Sequence, residues 1–282
     1  MQTKFMPFSK EDLCKKNIVL TQWIVFQRKL RNLYGNLILT FHPHLLSCTI
    51  MERKIRFKSL FHKYRHALPL LLYGIVYMQW FAYLERTVTR HYRLIHVAPD
   101  DLIPFCEIFV IPYFLWFAYV AAVIVYLFFK DKDDYFRACT FLFTGMTVFL
   151  IISTLWPNGH DLRPVVMPRD NIFSRMVSTL YAADTPTNLW PSIHVYNSLG
   201  CHLAVMKNAG LEKKKGIRTC SLILCVSIIL STMLIKQHSV FDVATAFIMA
   251  GVMYGIVYRF DILLHFYHGL RRRNKRKPGT LH

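Results

Sequence analysis

Long apolar runs alternate with short polar connections along most of this chain. Helices of about 17 to 25 apolar residues are long enough to cross the hydrocarbon core of a bilayer. The apolar segments that follow this pattern are residues 67–84, 102–129, 138–156, 192–206, 217–235 and 239–258. The pattern therefore predicts an all-α fold, a polytopic membrane helix bundle with six transmembrane helices.

The fourth of these segments is the shortest and the most polar. It contains His194, Asn197, Ser198 and His202. Because polar groups need partners inside a bilayer, we expect the other helices to surround this segment and to shield it from lipid.

The composition agrees with a membrane protein. The 282 residues are 54% hydrophobic and 15% aromatic, with a mean hydropathy of +0.29, which is more apolar than an ordinary soluble domain. The seven cysteines have neither the spacing of a metal site nor that of a disulfide framework. We therefore expect the cysteines to pack as small buried hydrophobic side chains. The sequence therefore predicts no cofactor and no metal.

The positions of the basic residues predict the orientation of the helices. The net charge is +19, and Lys and Arg concentrate in four regions, 51–66, 130–137, 207–218 and 259–282. By the positive-inside tendency these regions are cytoplasmic, which places both termini in the cytoplasm and requires an even number of spans. We expect the cations to meet anionic lipid headgroups, and no feature is typical of nucleic-acid binding.

Three parts of the chain follow from these patterns. Residues 1–65 form a basic N-terminal extension, residues 66–260 a six-helix membrane domain, and residues 261–282 a basic cytoplasmic tail. Apolar stretches in the extension are too short to span a bilayer, which leaves an interfacial helix as one possibility. The other is that Met51 is the natural start and that residues 1–50 do not belong to the protein.

The predicted topology places several polar side chains together on the non-cytoplasmic side of the membrane. Arg163 lies in the long connection after the third span, and Ser192 and His194 begin the fourth span directly after that connection. Lys236 and His238 lie at the turn between the last two spans. Cationic and hydroxyl groups at the mouth of a helix bundle suit an anionic ligand.

His238 and Asp242 are four residues apart, so on a helix they share one face. The carboxylate would then hold one ring nitrogen of His238 and leave the other as a nucleophile for phosphorus. Such a reaction needs donors for the phosphoryl oxygens, a role for Arg163, Lys236 and Ser192. It also needs an acid for the leaving group, a role for His194.

Each of these residues also has a simpler explanation. A histidine at a membrane interface is commonly solvated or only hydrogen-bonded, which is how we interpret His160 and His202. Asp242 would also pair with a cation, as carboxylates inside membranes commonly do. Arg163, like Arg169 and Arg175, would also meet lipid headgroups.

Three short blocks resemble, in their order, the signature of the type 2 phosphatidic acid phosphatase superfamily. They are RP at 163–164, PSIH at 191–194, and Ser231-Thr232 followed by His238 and Asp242. The resemblance covers about residues 66–260. It implies a core of six spans with the active site on the outer, extracytoplasmic side, and chemistry that requires no metal.

The resemblance also implies a role for each matching residue. His238 would be the nucleophile that forms a phosphohistidine, Asp242 would orient it, and His194 would protonate the leaving group. Arg163 and Ser192 would bind the phosphoryl oxygens. Beyond what the resemblance assigns, we expect Lys236 and Ser231 to bind phosphate as well.

The third block and the first depart from the family pattern at one cation each. Trp156 stands where the first block usually has lysine, and Thr232 stands where the third usually has arginine. Lys236 would supply one missing cation, and Arg169 or Arg175 another. These departures resemble the branch that includes inositol phosphorylceramide synthase and sphingomyelin synthase.

Three functions remain open from the sequence. The first is an integral membrane lipid phosphatase that hydrolyses a lipid phosphate or diphosphate, a metal-independent phosphoric ester hydrolase. The second is a lipid phosphotransferase, which shares the phosphohistidine step and passes the phosphoryl group to an alcohol. The third is a non-catalytic membrane protein that binds a lipid anion or transports a solute. The identity of the lipid and the oligomeric state do not follow from the sequence.

Overall fold

A computed structural model of the chain describes residues 67–89 and 91–260. The predictions about the N-terminal extension and about the tail at 261–282 lie outside the described residues. Within the described ranges the chain is mostly helical, so the predicted all-α class is confirmed.

The α-helices of the described part are numbered here in chain order. They are α1 (Leu68–Thr87), α2 (Pro99–Leu102), α3 (Val110–Lys130), α4 (Lys132–Leu155), α5 (Ile172–Ala183), α6 (Ile193–Lys207), α7 (Lys215–Leu234) and α8 (Val240–Tyr254). Short 3₁₀ turns at Glu107–Phe109 and Ala209–Leu211 precede α3 and α7, and a π-helical turn at Gly255–Arg259 continues α8. Two strands of two residues each, β1 (Arg93–Leu94) and β2 (Asn158–Gly159), complete the fold.

Four helices of the described part are long and apolar enough to cross a membrane. They are Glu107–Lys130, Lys132–Leu155, Lys215–Leu234 and Val240–Arg259, and they match the second, third, fifth and sixth predicted segments. Helices also form at the first and fourth predicted segments, as α1 and α6, but α6 has only 15 residues. The chain is therefore a helical protein with the features of a multi-pass membrane protein.

Polar residues at the helix starts explain where three of these helices begin. The Asp131 side chain accepts hydrogen bonds from the backbone N–H groups of Asp133 and Asp134 at the start of α4. Ser192 caps α6 and Ser239 caps α8 in the same way. Each cap satisfies N–H groups that a helix leaves without an internal partner.

The short helix α6 lies at the centre of the bundle, in contact with α3, α4, α7 and α8. Its polar residues Asn197 and Ser198 are buried together with its apolar ones. The arrangement agrees with the expectation that other helices surround this segment. A polar helix of this length is tolerated because protein, rather than lipid, covers it.

Two glycines allow α4 and α6 to approach closely. A Cβ atom added to Gly145 on α4 would lie 2.0 Å from the Tyr196 ring, and one added to Gly200 on α6 would lie 2.6 Å from the Phe141 ring. The rings of Phe141 and Tyr196 stack at 4.7 Å between centroids. The packing of the central helix therefore depends on the absence of side chains at these two positions.

Parts of the first and second predicted outer connections, residues 86–101 and 157–191, meet at one end of the bundle, which we call the loop end. β1 pairs in parallel with β2, and Gly159 forms an antiparallel bridge with Thr187. The side chain of Asn158, which is fully buried, accepts hydrogen bonds from the backbone N–H groups of Leu189 and Trp190, each at 2.9 Å. The connection 157–191, expected as a loop, also contains the 12-residue helix α5.

Candidate active site

Two histidines from distant parts of the sequence lie side by side at the loop end. His194 is in the first turn of α6, and His238 lies in the turn between α7 and α8. The centroids of their rings are 5.7 Å apart, with an interplanar angle of 57°. The structure therefore brings together the two residues for which the sequence predicts a nucleophile and an acid.

Asp242 holds His238 from the first turn of α8. His238 Nδ1 lies 3.4 Å from Asp242 Oδ2, and the same oxygen accepts a hydrogen bond of 3.0 Å from the Ser239 N–H. Ser239 and Asp242 form a capping box at the start of α8. The predicted contact is present, but His238 precedes the cap of α8, so the two residues meet at the helix start and not on one helix face. A proton on Nδ1 leaves Nε2 with its lone pair.

Aromatic side chains of α3 form one wall around His194. The ring of Tyr113 stacks on it at 4.5 Å between centroids, and the ring of Trp116 lies at 4.4 Å. Within residues 67–89 and 91–260, neither His194 Nδ1 nor Trp116 Nε1 has a hydrogen-bond partner, although both atoms are buried. Two buried polar atoms without partners beside a histidine pair are features of a site that a ligand completes.

Arg163 reaches the same region from the long connection. Its Nη1 donates to the Asp184 carbonyl oxygen at 2.8 Å, and its Nη2 donates to the Thr185 carbonyl oxygen and to Gln237 Oε1. The guanidinium lies 4.5 Å from the centroid of the Tyr181 ring. Its Nε is buried and has no partner among the residues that the structure describes. Arg163 is therefore fixed beside the residue that precedes His238, with one donor left over.

Burial changes the protonation of two other groups in these loops. It raises the pKa of Asp184 to about 6, an effect that the nearby Arg163 partly offsets. It lowers the pKa of His160 to about 4, because the imidazolium would lose its hydration. His160 Nε2 lies 3.0 Å from the Gln237 carbonyl oxygen, which agrees with its interpretation as a hydrogen-bonded residue.

The two serines of the predicted phosphate site have structural partners. Ser192 is fully buried, and its hydroxyl oxygen accepts a long hydrogen bond of 3.4 Å from the Val195 N–H. The Ser231 hydroxyl donates to the Ile228 carbonyl oxygen at 2.6 Å. Ser192 therefore lies at the start of the His194 helix, whereas the Ser231 hydroxyl is used within α7.

Lys236 is predicted to bind phosphate beside the histidine pair, but its ammonium is engaged by backbone carbonyl oxygens. Its Nζ donates to the carbonyl oxygens of Asp100 at 2.9 Å and of Ile103 at 2.6 Å. These carbonyl oxygens accept hydrogen bonds from the ammonium and so compete with a phosphate for the same donors. The structure thus directs this ammonium toward the first outer connection.

The other cations considered from the sequence are also engaged elsewhere. Arg169 pairs with Glu107 at 2.8 Å, and Arg175 pairs with Asp170 at 3.0 Å. At position 156, the guanidinium of Arg93 lies 4.1 Å from the centroid of the Trp156 ring. The side chains of Arg169 and Arg175 therefore bind carboxylates near the surface instead of replacing the missing lysine.

Sequence reasoning missed several residues of the site. Tyr113 and Trp116 contact His194. Asp184 and Gln237 accept hydrogen bonds from Arg163. One signal was present, because Tyr113 and Trp116 are three residues apart and so share a face of α3. Among residues 67–89 and 91–260, no three His, Cys, Asp or Glu side chains are grouped as metal ligands would be.

Comparisons with known proteins leave the site to be interpreted from its own geometry. No protein-family model matches the chain, and neither a curated protein nor a solved structure matches it. The resemblance of the three motif blocks therefore stays an expectation, and the chemistry of the site rests on the distances and contacts above.

Proposed function

We propose that this chain is an integral membrane lipid phosphatase that hydrolyses a lipid phosphate or diphosphate through a phosphohistidine intermediate. The observation that carries the proposal is the pair of His194 and His238, with 5.7 Å between ring centroids and Asp242 behind His238. Two histidines at this separation can reach opposite sides of one phosphorus atom, one as nucleophile and one as acid.

Each step of the proposed reaction uses a specific residue of the site. His238 Nε2 attacks phosphorus, the bond to the leaving oxygen breaks, and His194 gives that oxygen a proton. Asp242 stabilises the positive charge that develops on the His238 ring. A water molecule then attacks the phosphohistidine, His194 takes a proton from it, and the N–P bond breaks to release phosphate.

Arg163 is the cation that the proposal assigns to the phosphoryl oxygens. It is 11% exposed at its side chain, and its Nε has no partner in the described structure. Its other donors are held by carbonyl oxygens, which fixes the planar guanidinium in one orientation. Ser192 would contribute through the start of α6, where free N–H groups attract anions.

The proposal includes six spans, both termini in the cytoplasm and an active site on the extracytoplasmic side. The arrangement of the connections supports it, because residues 93–95, 157–160 and 186–188 are hydrogen-bonded together at the loop end. The basic regions 130–137 and 207–218 lie elsewhere, around the α3–α4 boundary and around the connection between α6 and α7. Membership of the type 2 phosphatidic acid phosphatase superfamily is part of the same proposal, since its three blocks converge on the histidine pair.

The test is phosphate release by the full chain in detergent, with a panel of long-chain lipid phosphates and diphosphates. We expect His238→Ala and His194→Ala to abolish release. His202→Ala is the matched control, because His202 bonds to Ser221 at 3.0 Å, away from the histidine pair. It should keep activity within about twofold.

The same assay distinguishes the other functions. Product that forms only when an alcohol acceptor is present, as a new phospholipid, would show a phosphotransferase. Lipid binding without turnover, unchanged in both histidine variants, would show a non-catalytic protein and refute the proposal.

A further inference from the structure

Asp100 is a buried carboxylate outside the predicted motifs, at the point where the first outer connection meets α8. It is 2% exposed. Its Oδ2 accepts hydrogen bonds from the Ser239 hydroxyl at 2.7 Å and from the Val97 N–H at 3.0 Å. Its Oδ1 accepts a hydrogen bond of 2.7 Å from the Val240 N–H. Both oxygens are thus engaged, and two of the three donors belong to the start of α8.

Ser239 connects this carboxylate to the histidine pair. Its hydroxyl donates to Asp100, and its backbone N–H donates to Asp242 Oδ2 at 3.0 Å. The same Asp242 oxygen faces His238 Nδ1. Two carboxylates therefore hold one serine from two directions, and the second of them also holds the imidazole.

Lys236 forms a second link between the segment that contains Asp100 and the turn between α7 and α8. Its Nζ donates to the carbonyl oxygens of Asp100 and Ile103. Its φ of 52° lies in the left-handed region, which a residue with a Cβ atom rarely adopts. A third contact follows from the backbone, where the Cys106 N–H donates to the Leu234 carbonyl oxygen at 2.9 Å.

We propose that Asp100 is a positioning residue that sets the orientation of the His238 ring through Ser239 and Asp242. This inference rests on the proposed function, because it concerns the reacting histidine. It also gives Lys236 a purpose other than phosphate binding, since its ammonium fixes the backbone on which Asp100 stands.

Ordinary helix capping alone would explain fewer of these contacts. The start of α8 already has a complete capping box in Ser239 and Asp242. Asp100 is added to that box from 139 residues away in the sequence. Its effect on a reaction follows from geometry, because a shift of about 1 Å in a reacting group can lower a rate by about 100-fold.

The test is Asp100→Asn in the full chain, labelled with ¹⁵N at histidine. We expect kcat to fall by about 10- to 100-fold while KM stays within about twofold, because binding groups such as Arg163 are untouched. The ring ¹⁵N signals of His238, identified as those missing from His238→Ala, should move. Asp101→Asn is the matched control, because the exposed Asp101 side chain bonds to His96 and has no hydrogen bond to α8 in the described part of the chain.

A second variant keeps the test decisive if Asp100→Asn does not fold. Lys236→Met removes the two ammonium hydrogen bonds and leaves the carboxylate, so it should lower kcat in the same way but less. Unchanged His238 signals in folded Asp100→Asn would overturn the inference, and so would unchanged signals in Lys236→Met if Asp100→Asn does not fold. If the protein releases no phosphate from any lipid, the proposed function fails, and displaced His238 signals in Asp100→Asn would still support the positioning role.

Discussion

Replacing Gly145 with alanine tests how closely α4 packs against the central helix. The new Cβ would lie 2.0 Å from Tyr196 Cε1, 2.4 Å from its Cζ and 2.5 Å from its Cδ1. Two carbon atoms rest about 3.5 to 4.0 Å apart, so the ring or the helices must move by about 1.5 Å. Tyr196 is fully buried, and its hydroxyl donates to the Phe141 carbonyl oxygen at 2.7 Å.

The expected loss of stability follows from these contacts. Overpacking of this kind costs about 1 to 3 kcal/mol. Loss of the Tyr196 hydrogen bond adds about 1 kcal/mol, and the better helix propensity of alanine returns about 1 kcal/mol. A net loss of about 1 to 3 kcal/mol lowers the unfolding temperature of a domain this size by about 3 to 10 °C.

Thermal unfolding of the purified protein in detergent measures the effect. Gly251→Ala is the matched control, because Gly251 lies in α8 and a Cβ there has no neighbour within 4 Å. It should leave the unfolding temperature unchanged or slightly raised. Equal unfolding temperatures for Gly145→Ala and Gly251→Ala would refute the packing described here.

A double variant checks that the Tyr196 ring is the obstacle. Tyr196→Leu removes the ring atoms that the new Cβ would meet. The double variant should therefore lose less in unfolding temperature than the sum of the losses in Gly145→Ala and Tyr196→Leu alone. Full additivity would place the strain elsewhere on α6.

Three further predictions concern the loop end. Asp184 has a pKa raised to about 6 in the folded chain, so its ionisation lowers stability as pH rises from about 4 to 6. The unfolding temperature of Asp184→Asn, measured relative to the unchanged chain, should therefore be higher at pH 6 than at pH 4. His160 has a pKa lowered to about 4 in the folded chain, so it adds stability as pH rises from about 4 to 6.5. In His160→Gln this contribution to the unfolding temperature should be absent when thermal unfolding is measured across the same pH range. Arg163→Lys should lower kcat/KM by about tenfold or more, because one ammonium cannot reproduce the guanidinium contacts with Asp184, Thr185 and Gln237. Activity equal to that of the unchanged chain would contradict this role for Arg163.

Hydropathy and spacing were enough to predict the helices and the local pair at the site. Apolar runs specify helices because the signal lies in neighbouring residues, and four of them are long enough to span a bilayer. The pairing of His238 with Asp242 was predictable from their short separation, although it forms at the start of α8, where His238 precedes the cap Ser239, and not along a helix face. The expected proximity of His194 to His238 used topology as well, and the structure agrees with it.

Only the tertiary structure decided what the charged side chains bind. Lys236 lies two residues before His238, yet its ammonium contacts carbonyl oxygens more than 130 positions away in the sequence. Asp100 joins α8 over a similar separation, and Tyr113 meets His194 from another helix. The partner of a long flexible side chain depends on distance and on the cost of desolvation in the folded chain. Local sequence sets neither of these quantities. The sequence by itself therefore determined the helices and the histidine–aspartate pair, whereas the fold decided which cation remains near that pair.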